Sequence, residues 1–344
     1  MRNALFLFVT LIGLSACSTI SYVNIETFKP AEITFPSVVS KVLIVNNAVP
    51  QPDNSGYEYI HMGARQDTAR AKADSALFDA GRALGVTILE TEYFNDVLLF
   101  HESTRTDDKY LTDEKLSKET VESLCQESGA DAIISVDRML FDMTKTTAMM
   151  GGGFLFGFIN VKIAGVMRAY VPGRENPLAT VLLSDSVFWS EQAETIEELN
   201  TYLPSPENAL REAGKYIGNV AAPNFTPHWA NEIRWFYTGL STEWKQASAY
   251  ASAQRWESAE RYWRSIHDKT NNETQKAKSA SNIAFSQEMQ GNYIEALEWA
   301  EKALPQFKKK GENTRDYQLL YQYVLALRER IRENRKLNIQ IGES

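Results

Sequence analysis

The chain has 344 residues, of which 44% are hydrophobic and 23% are charged. This size and composition suffice for two ordinary domains with apolar cores and exclude disorder of the whole chain. With 36 basic and 44 acidic residues, the chain lacks the positive balance typical of nucleic-acid-binding proteins, so no nucleic acid is expected among its partners.

The N-terminus has the pattern of a bacterial export signal. Arg2 supplies a positive charge, residues 4–14 form a short apolar segment, and Leu-Ser-Ala-Cys follows, ending at Cys17. These four residues resemble the lipobox of bacterial lipoproteins, whose cysteine is acylated after cleavage in front of it. The resemblance implies a signal peptide over residues 1–16 and lipidation of Cys17. The alternative is a simple secretory signal with a coincidental cysteine.

Residues after the cysteine bear on sorting. In enterobacterial lipoproteins, an aspartate directly after the cysteine signals retention in the inner membrane. By resemblance to that family, Ser18 at this position implies no such retention. The following residues lack the acidic cluster of surface-exported Bacteroidetes lipoproteins. We therefore expect an anchor in the outer membrane that faces the periplasm, with outer-membrane lipid as one partner. Residues 17–38 show no clear periodicity and are predicted to be a lipidated tether.

Residues 39–226 are predicted to form an α/β domain. The elements expected in its first half are a buried strand at 41–47, a helix at 67–84 closed by Gly85, a strand at 86–90, a helix at 117–128 closed by Gly129, and a strand at 131–136. Strands that alternate with helices indicate a mixed α/β sheet.

The second half of this domain changes to a period of two. Ile159–Val171 alternates between two faces, a turn follows at 172–177, and Thr180–Trp189 reads as the return strand. These segments predict an antiparallel hairpin. Ser205 and Pro206 then have the pattern of a helix N-terminus.

Met149–Asn160 is an uncharged segment with three consecutive glycines and three phenylalanines. Its spacing does not fit a dinucleotide-binding loop, and the uncharged run is shorter than the roughly 20 residues of a membrane-spanning helix. We expect a mobile, apolar connection between two strands. It either folds against its own domain or exposes a tip that touches a membrane or partner; the candidate tip residues are Phe154, Leu155, Phe156 and Phe158.

Residues 227–340 are predicted to be helical. Gln254–Trp263 aligns with Gly291–Ala300, and the pair resembles the tetratricopeptide repeat. Helices of that family hold extended peptides in a groove, which implies candidate groove residues at Tyr250, Asn282, Gln287 and Gln290. The cluster of tryptophans in this part of the chain is also compatible with an ordinary helical core.

The sequence shows no group of residues with the spacing of a catalytic or metal-binding site. The four histidines, His61, His101, His228 and His267, share no metal-binding spacing, and a Gly-x-Ser-x-Gly motif is absent. Cys125 lies on an apolar helical stripe and is interpreted as a small buried hydrophobe. With Cys17 acylated, no intrachain disulfide can form. We therefore expect no catalytic residue, metal or cofactor, and no enzymatic activity.

The mature chain as a whole resembles a family of uncharacterised Bacteroidetes lipoproteins. The resemblance rests on the strand at 41–47, the hairpin that closes on Asp185–Trp189, and the C-terminal repeats. In addition, the Ser-Gly-Ala-Asp passage at 128–131 is similar to periplasmic domains of the TolB N-terminal, curli-secretion and penicillin-binding-protein-activator type. The expected fold class is α+β, a mixed sheet with an antiparallel hairpin, followed by an all-α tetratricopeptide-like domain.

This resemblance implies a lipid-anchored, non-enzymatic scaffold that binds envelope proteins or peptides through both domains. One alternative is an oligomeric secretion or channel component of the outer membrane, and another is an enzyme that acts on the cell wall. The sequence leaves the oligomeric state open.

Overall fold

A computed structural model describes residues 20–66 and 70–342, which divide between two compact units. The α/β unit comprises residues 28–228 and 336–342, and the helical unit comprises residues 20–27 and 229–335. The expected fold class is confirmed: a mixed sheet with an antiparallel hairpin is followed by an all-helical region. Cys17 and the signal peptide lie outside the described residues. Within the described ranges, no helix has the length and apolarity needed to cross a membrane.

The secondary-structure elements have the following bounds. The strands are β1 (Ile20–Lys29), β2 (Lys41–Asn46), β3 (Tyr57–His61), β4 (Ala64–Gln66), β5 (Asp96–Ser103), β6 (Ala132–Met149), β7 (Leu155–Tyr170), β8 (Ala179–Ala193) and β9 (His228–Tyr237). The helices are α1 (Asp74–Glu90), α2 (Lys118–Ser128), α3 (Ile196–Tyr202), α4 (Pro206–Ala221), α5 (Thr242–Ser252), α6 (Trp256–Lys269), α7 (Glu273–Met289), α8 (Tyr293–Lys308) and α9 (Arg315–Ile341).

The long strand β6 organises the seven-stranded sheet. Along one edge, its first part pairs in parallel with β2 and its last part in parallel with β3. Along the other edge it pairs antiparallel with β7, which in turn pairs antiparallel with β8. Residues 42–45 of β2 are all buried, which explains why this strand reads as a continuous apolar run rather than an alternating one.

Helices cover the two faces of this sheet unequally. One face packs against α1, α3 and α4. On the opposite face, α2 covers the region around Leu43, Val45 and Ile133. Because α2 has only 11 residues, much of the same face of β6, β7 and β8 remains uncovered.

In the helical unit, a two-stranded sheet of β1 and β9 packs with the helices that follow it. Helices α5 to α8 each contact the next along the chain. The core of the unit is aromatic, and Trp263, Phe236, Phe285 and Phe307 are almost fully buried in it.

Several local predictions are confirmed. The helix predicted at 117–128 is α2, and Gly129 ends it at a positive φ of 69° as predicted; the structure adds that the Ser117 hydroxyl caps it by accepting from the backbone N–H of Thr120. Ser205 caps α4 in the same way, with Pro206 in the first turn. The hairpin of β7 and β8 is present, with a register that runs from Ala169 opposite Ala179 to Leu155 opposite Ala193.

Two predictions are corrected. Residues 20–29, predicted to belong to a tether without structure, form β1, which is recognisable only once its partner β9, some 200 residues away in sequence, is known. The helix predicted to end at Gly85 begins at Asp74 and continues to Glu90, so the predicted strand at 86–90 is wrong. Gly85 does not end α1, because Leu84 and Ile88 continue the buried stripe of the helix. The strand that follows α1 in the chain and contacts it is β5.

Candidate functional site

The four residues predicted to line a peptide groove do not form one open groove. Asn282 is fully buried and Gln287 is 4% exposed. Gln287 and Gln290 donate from their amide nitrogens to the two carboxylate oxygens of Glu260, at 2.7 and 2.6 Å. Tyr250 instead stacks on Tyr262, with ring centroids 5.6 Å apart. The sequence pattern correctly marked polar positions on these helices but could not reveal that they are satisfied internally.

The side chain of Asn282 hydrogen-bonds the chain's own strand β9. Its Nδ2 donates to the carbonyl oxygen of Tyr237 at 2.7 Å, and its Oδ1 accepts from the Tyr237 backbone N–H at 2.7 Å. A second contact fixes the same strand, since the Arg234 guanidinium donates to both carboxylate oxygens of Glu288. Strand β9 therefore holds, in cis, the position on α7 that an extended peptide was predicted to take.

The glycine-rich segment is a short turn between two paired strands. β6 and β7 stay paired up to Met149 opposite Leu155, and the turn between them has positive φ angles of 90° at Gly152 and 88° at Gly153. β6 therefore continues well beyond the strand predicted at 131–136, and β7 begins at Leu155, before the predicted start at Ile159. The reversal needs only a few residues because glycine adopts such angles without steric cost.

The four predicted tip residues divide between two environments. Phe154 is 45% exposed at the turn, whereas Leu155 is buried in the core of the α/β unit, so Leu155 cannot belong to an exposed tip. Phe156 and Phe158 are half-buried on the uncovered face of β7. Alternation along the strand explains this division, because successive side chains point to opposite faces of the sheet.

The uncovered face of β6, β7 and β8 carries several exposed or half-buried apolar side chains. We call it the open face; it includes Phe156 and Phe158 on β7 and Leu182 and Phe188 on β8. Leu182 is 79% exposed and Phe188 66%. The rings of Phe158 and Phe188 lie 5.8 Å apart, so the aromatic side chains form a contiguous patch.

A cleft of about 690 Å³ adjoins this patch. Its walls are formed by the loop carrying Tyr110 and Leu111 and by the strand residues Leu140, Ala164 and Ser184. Lys162 and Asp142 lie at the cleft as a solvent-exposed pair, with nitrogen and oxygen 3.8 Å apart. The combination of an apolar patch with a mixed polar cleft is suited to contact with a protein.

A buried polar network lies where the parallel strands β2 and β5 end, and the sequence analysis missed it. Asp137 is fully buried and accepts from the side chains of Asn47, Ser135, Arg168 and Tyr170. Burial raises the pKa of the Asp137 carboxyl, although these donors oppose the shift. The available signal was the charged pair Asp137 and Arg138 in the mostly apolar first half of β6, from Ala132 to Phe141.

The network is hydrogen-bonded to the loop of residues 104–116 and holds it in place. Asn47 donates to the carbonyl of Glu114 at 2.7 Å, and Arg168 bonds both the carbonyl and the carboxylate of Asp113. Arg105 forms a bidentate pair with Asp107 and holds the pKa of that carboxyl at about 2. Ligands often bind at this end of parallel strands, but here the polar groups hold a loop of the same chain.

The histidines and the described cysteine form no metal-binding group among the described residues. No group of three His, Cys, Asp or Glu side chains within residues 20–66 and 70–342 could hold a metal ion. Cys125 is buried, and burial raises the pKa of its thiol to about 11, which keeps it protonated. His61 instead bonds the hydroxyl of Thr147 at 2.6 Å within the α/β unit.

The Ser-Gly-Ala-Asp passage has a structural role. The Asp131 carboxylate accepts from the backbone N–H groups of Ser40 and Lys41, both at 2.9 Å, at the point where β2 begins. These bonds lower the pKa of Asp131. The motif therefore joins the turn after α2 to the start of the neighbouring strand.

The fold defines a chain of two units, a mixed-sheet unit followed by a helical one. Residues 39–237 match the family model "Domain of unknown function (DUF8603)", which covers more than half of the sequence, and the chain belongs to this family. Residues 245–329 match the model "Domain of unknown function (DUF6340)".

Comparisons with individual proteins add little to this assignment. A search of curated proteins finds no match. Among solved structures, the chain is similar to a minor lipoprotein from Acinetobacter baumannii at 11% identity, over 56% of this chain and 97% of that one. The TM-score of 0.24 is too low to establish a shared fold.

Proposed function

We propose that this protein is a lipid-anchored, non-enzymatic interaction module of the bacterial cell envelope. Its anchor is the acylated Cys17 in the outer membrane, and it faces the periplasm. The open face of β6, β7 and β8 binds an envelope protein. The helical unit, which resembles tetratricopeptide repeats in sequence, supplies a second contact surface.

The observation that carries this proposal is the exposed apolar patch on the open face. Solitary exposed apolar side chains are ordinary, but Leu182 is 79% and Phe188 66% exposed on the same strand. Phe188 also extends into an aromatic pair with Phe158. Contiguous apolar surface of this kind favours association with a partner, because burial removes it from water.

The anchor is supported by the lipobox-like residues that end at Cys17. Intact mass measurement of the protein from membranes tests it, since acylation adds the mass of the fatty chains to a chain that begins at Cys17. The Cys17→Ser variant should leave the membrane fraction. Recovery of the native protein from the soluble fraction with an unmodified cysteine would refute the anchor.

The docking surface is tested by site-specific photocrosslinking in intact cell envelopes. A photoreactive phenylalanine analogue replaces Phe188 in one variant and Val86 in the matched control, which is an exposed apolar residue of α1 in the same unit. We expect a discrete crosslinked protein from position 188 and none from position 86. The additional substitution Leu182→Ser should weaken the crosslink. Equal crosslinking at the two positions would exclude a specific surface.

A second candidate function is an oligomeric secretion or channel component of the outer membrane. One observation favours it: β6 and β7 pair continuously on both sides of the glycine turn, which ends in the exposed Phe154. Mass determination of the detergent-solubilised protein separates the two functions. A ring of several copies supports the channel component, whereas a monomer supports the interaction module.

A further inference from the structure

Strand β1 begins very close to the proposed lipid anchor. Ile20 is its first residue, three positions after Cys17. An extended chain spans about 3.3–3.6 Å per residue, so this connection reaches at most about 10 Å. The argument rests on the proposed acylation of Cys17. If that cysteine is held in a bilayer, the start of β1 must lie at the membrane surface.

Strands β1 and β9 form a ribbon with two chemically different faces. The inner face carries Ile25, Arg234 and Phe236, which are buried in the helical unit. In the middle of the strands the side chains that alternate with them point outward; those that are exposed are Tyr22, Asn24 and Glu26 on β1 and Trp229, Asn231 and Ile233 on β9, whereas Ile20 and Tyr237 at the strand ends are buried. We call this side of the two strands the outward ribbon face.

Three of the six exposed residues on the outward ribbon face are of types that suit a membrane interface, and the other three are polar or acidic. Tyr22 is 54% exposed, Trp229 69% and Ile233 67%. Tyrosine and tryptophan concentrate at the level of lipid headgroups, where an apolar ring and a polar edge are both accommodated. The exposed Arg315 donates to the Tyr22 hydroxyl at 3.0 Å and places a cation beside this face, within reach of lipid phosphate.

We propose that the outward ribbon face lies on the bilayer surface and seats the helical unit directly against the membrane. The short connection supplies proximity, so contact with lipid becomes an intramolecular event that needs only a few weak interactions. Tyr22, Ile233 and Trp229 then decide which side of the helical unit turns toward the lipid. The partner is the lipid surface itself, and a protein covering this face is the competing outcome.

Fluorescence quenching tests the proposal in the full-length acylated protein. The protein is reconstituted in vesicles of phosphatidylethanolamine and phosphatidylglycerol that contain a lipid with a nitroxide headgroup. One variant carries a fluorophore on Asn24→Cys, in the outward ribbon face. The matched control carries it on Ile294→Cys, which replaces an exposed residue of α8 in the same unit, and the buried Cys125 stays unlabelled.

We expect the label at position 24 to be quenched about threefold more strongly than the label at position 294, because the ribbon face reaches the headgroup layer. The double substitution Trp229→Ser and Ile233→Ser should remove most of this difference. Both residues are exposed, so an unchanged thermal unfolding curve confirms that the fold is retained.

The outcomes separate this proposal from the anchor on which it rests. Acylated protein that floats with the vesicles but shows equal quenching at both positions overturns the ribbon contact alone. A crosslinked protein at position 24 in native envelopes, combined with absent quenching in vesicles, assigns the face to a protein partner and also overturns it. Protein without acyl mass that fails to float refutes both proposals.

Discussion

At the scale of single residues, polar side chains that look suited to binding a ligand are used by the fold. Asn282 satisfies both backbone groups of Tyr237, Asp137 accepts four internal hydrogen bonds, and Asp131 holds the start of β2. Buried polar groups need such partners, because an unsatisfied one loses its hydration without replacement. Asn282 and Asp131 each lead to a prediction about stability.

Substitution of Asn282 by alanine should destabilise the helical unit. It leaves the buried N–H and C=O of Tyr237 without partners, at a cost of about 3 kcal/mol in the free energy of unfolding. Tryptophan fluorescence during urea unfolding measures this, since six of the seven tryptophans lie within residues 229–335. The control Asn231→Ala removes an exposed amide from β9; if it costs as much, the backbone contact is not responsible.

Asp131 predicts a pH dependence of stability. Its pKa in the folded chain is lowered, chiefly by the hydrogen bond from the Ser40 backbone N–H. The carboxylate therefore stabilises the fold above the unfolded pKa of about 4, and this contribution is lost as the pH falls through the folded value. Urea unfolding followed by circular dichroism between about pH 6 and 3 should show a shallower loss for Asp131→Asn than for the native chain. The exposed Asp108→Asn is the control, and a similar flattening there would contradict the assignment.

At the scale of elements, close backbone approach determines how α1 and α4 pack. A Cβ atom on Gly218 would lie 2.3 Å from the carbonyl oxygen of Ala80, and one on Gly214 would lie 2.2 Å from that of Ala76. Both positions are on α4, four residues apart, so they fall on one side of the helix. A carbonyl oxygen of the backbone cannot move aside as a flexible side chain can. The helices can therefore keep their separation only with glycine at these positions.

Substitution of Gly218 by alanine should separate the two helices and lower the free energy of unfolding of the α/β unit by about 2 kcal/mol, despite the better helix propensity of alanine. Chemical unfolding followed by circular dichroism measures the change. Gly151→Ala provides the control, because a Cβ there would meet no atom within 4 Å. An equal effect of both substitutions would mean that the close contact between the helices does not set the cost.

At the scale of the whole molecule, the distance between the anchor and the first strand governs what the protein can reach. Residues 20–29 of the expected 22-residue tether form β1 instead. The helical unit is therefore the part attached most closely to Cys17.

Lengthening the connection should uncouple the anchor from the ribbon contact. Insertion of about twenty glycine and serine residues between Thr19 and Ile20 adds a mean span of about 25 Å. We expect the variant to remain in the membrane fraction while the quenching of the label on Asn24→Cys falls. An insertion of Ala-Ser at the same point is the control and should retain most of the quenching. Loss of membrane attachment in the long variant would show that the inserted sequence had disturbed acylation itself.

The sequence by itself determined the features that depend on neighbouring residues. The caps at Ser117 and Ser205, the apolar strand β2 and the hairpin of β7 and β8 follow from local hydrogen bonding and from a repeat of two, which act within a few residues. Only the tertiary structure decided the pairing of β1 with β9, the contact of Asn282 with Tyr237, and the exposure of Phe188. The first two join segments far apart in sequence, and the third arises because the short helix α2 leaves part of the sheet uncovered, which no local pattern records.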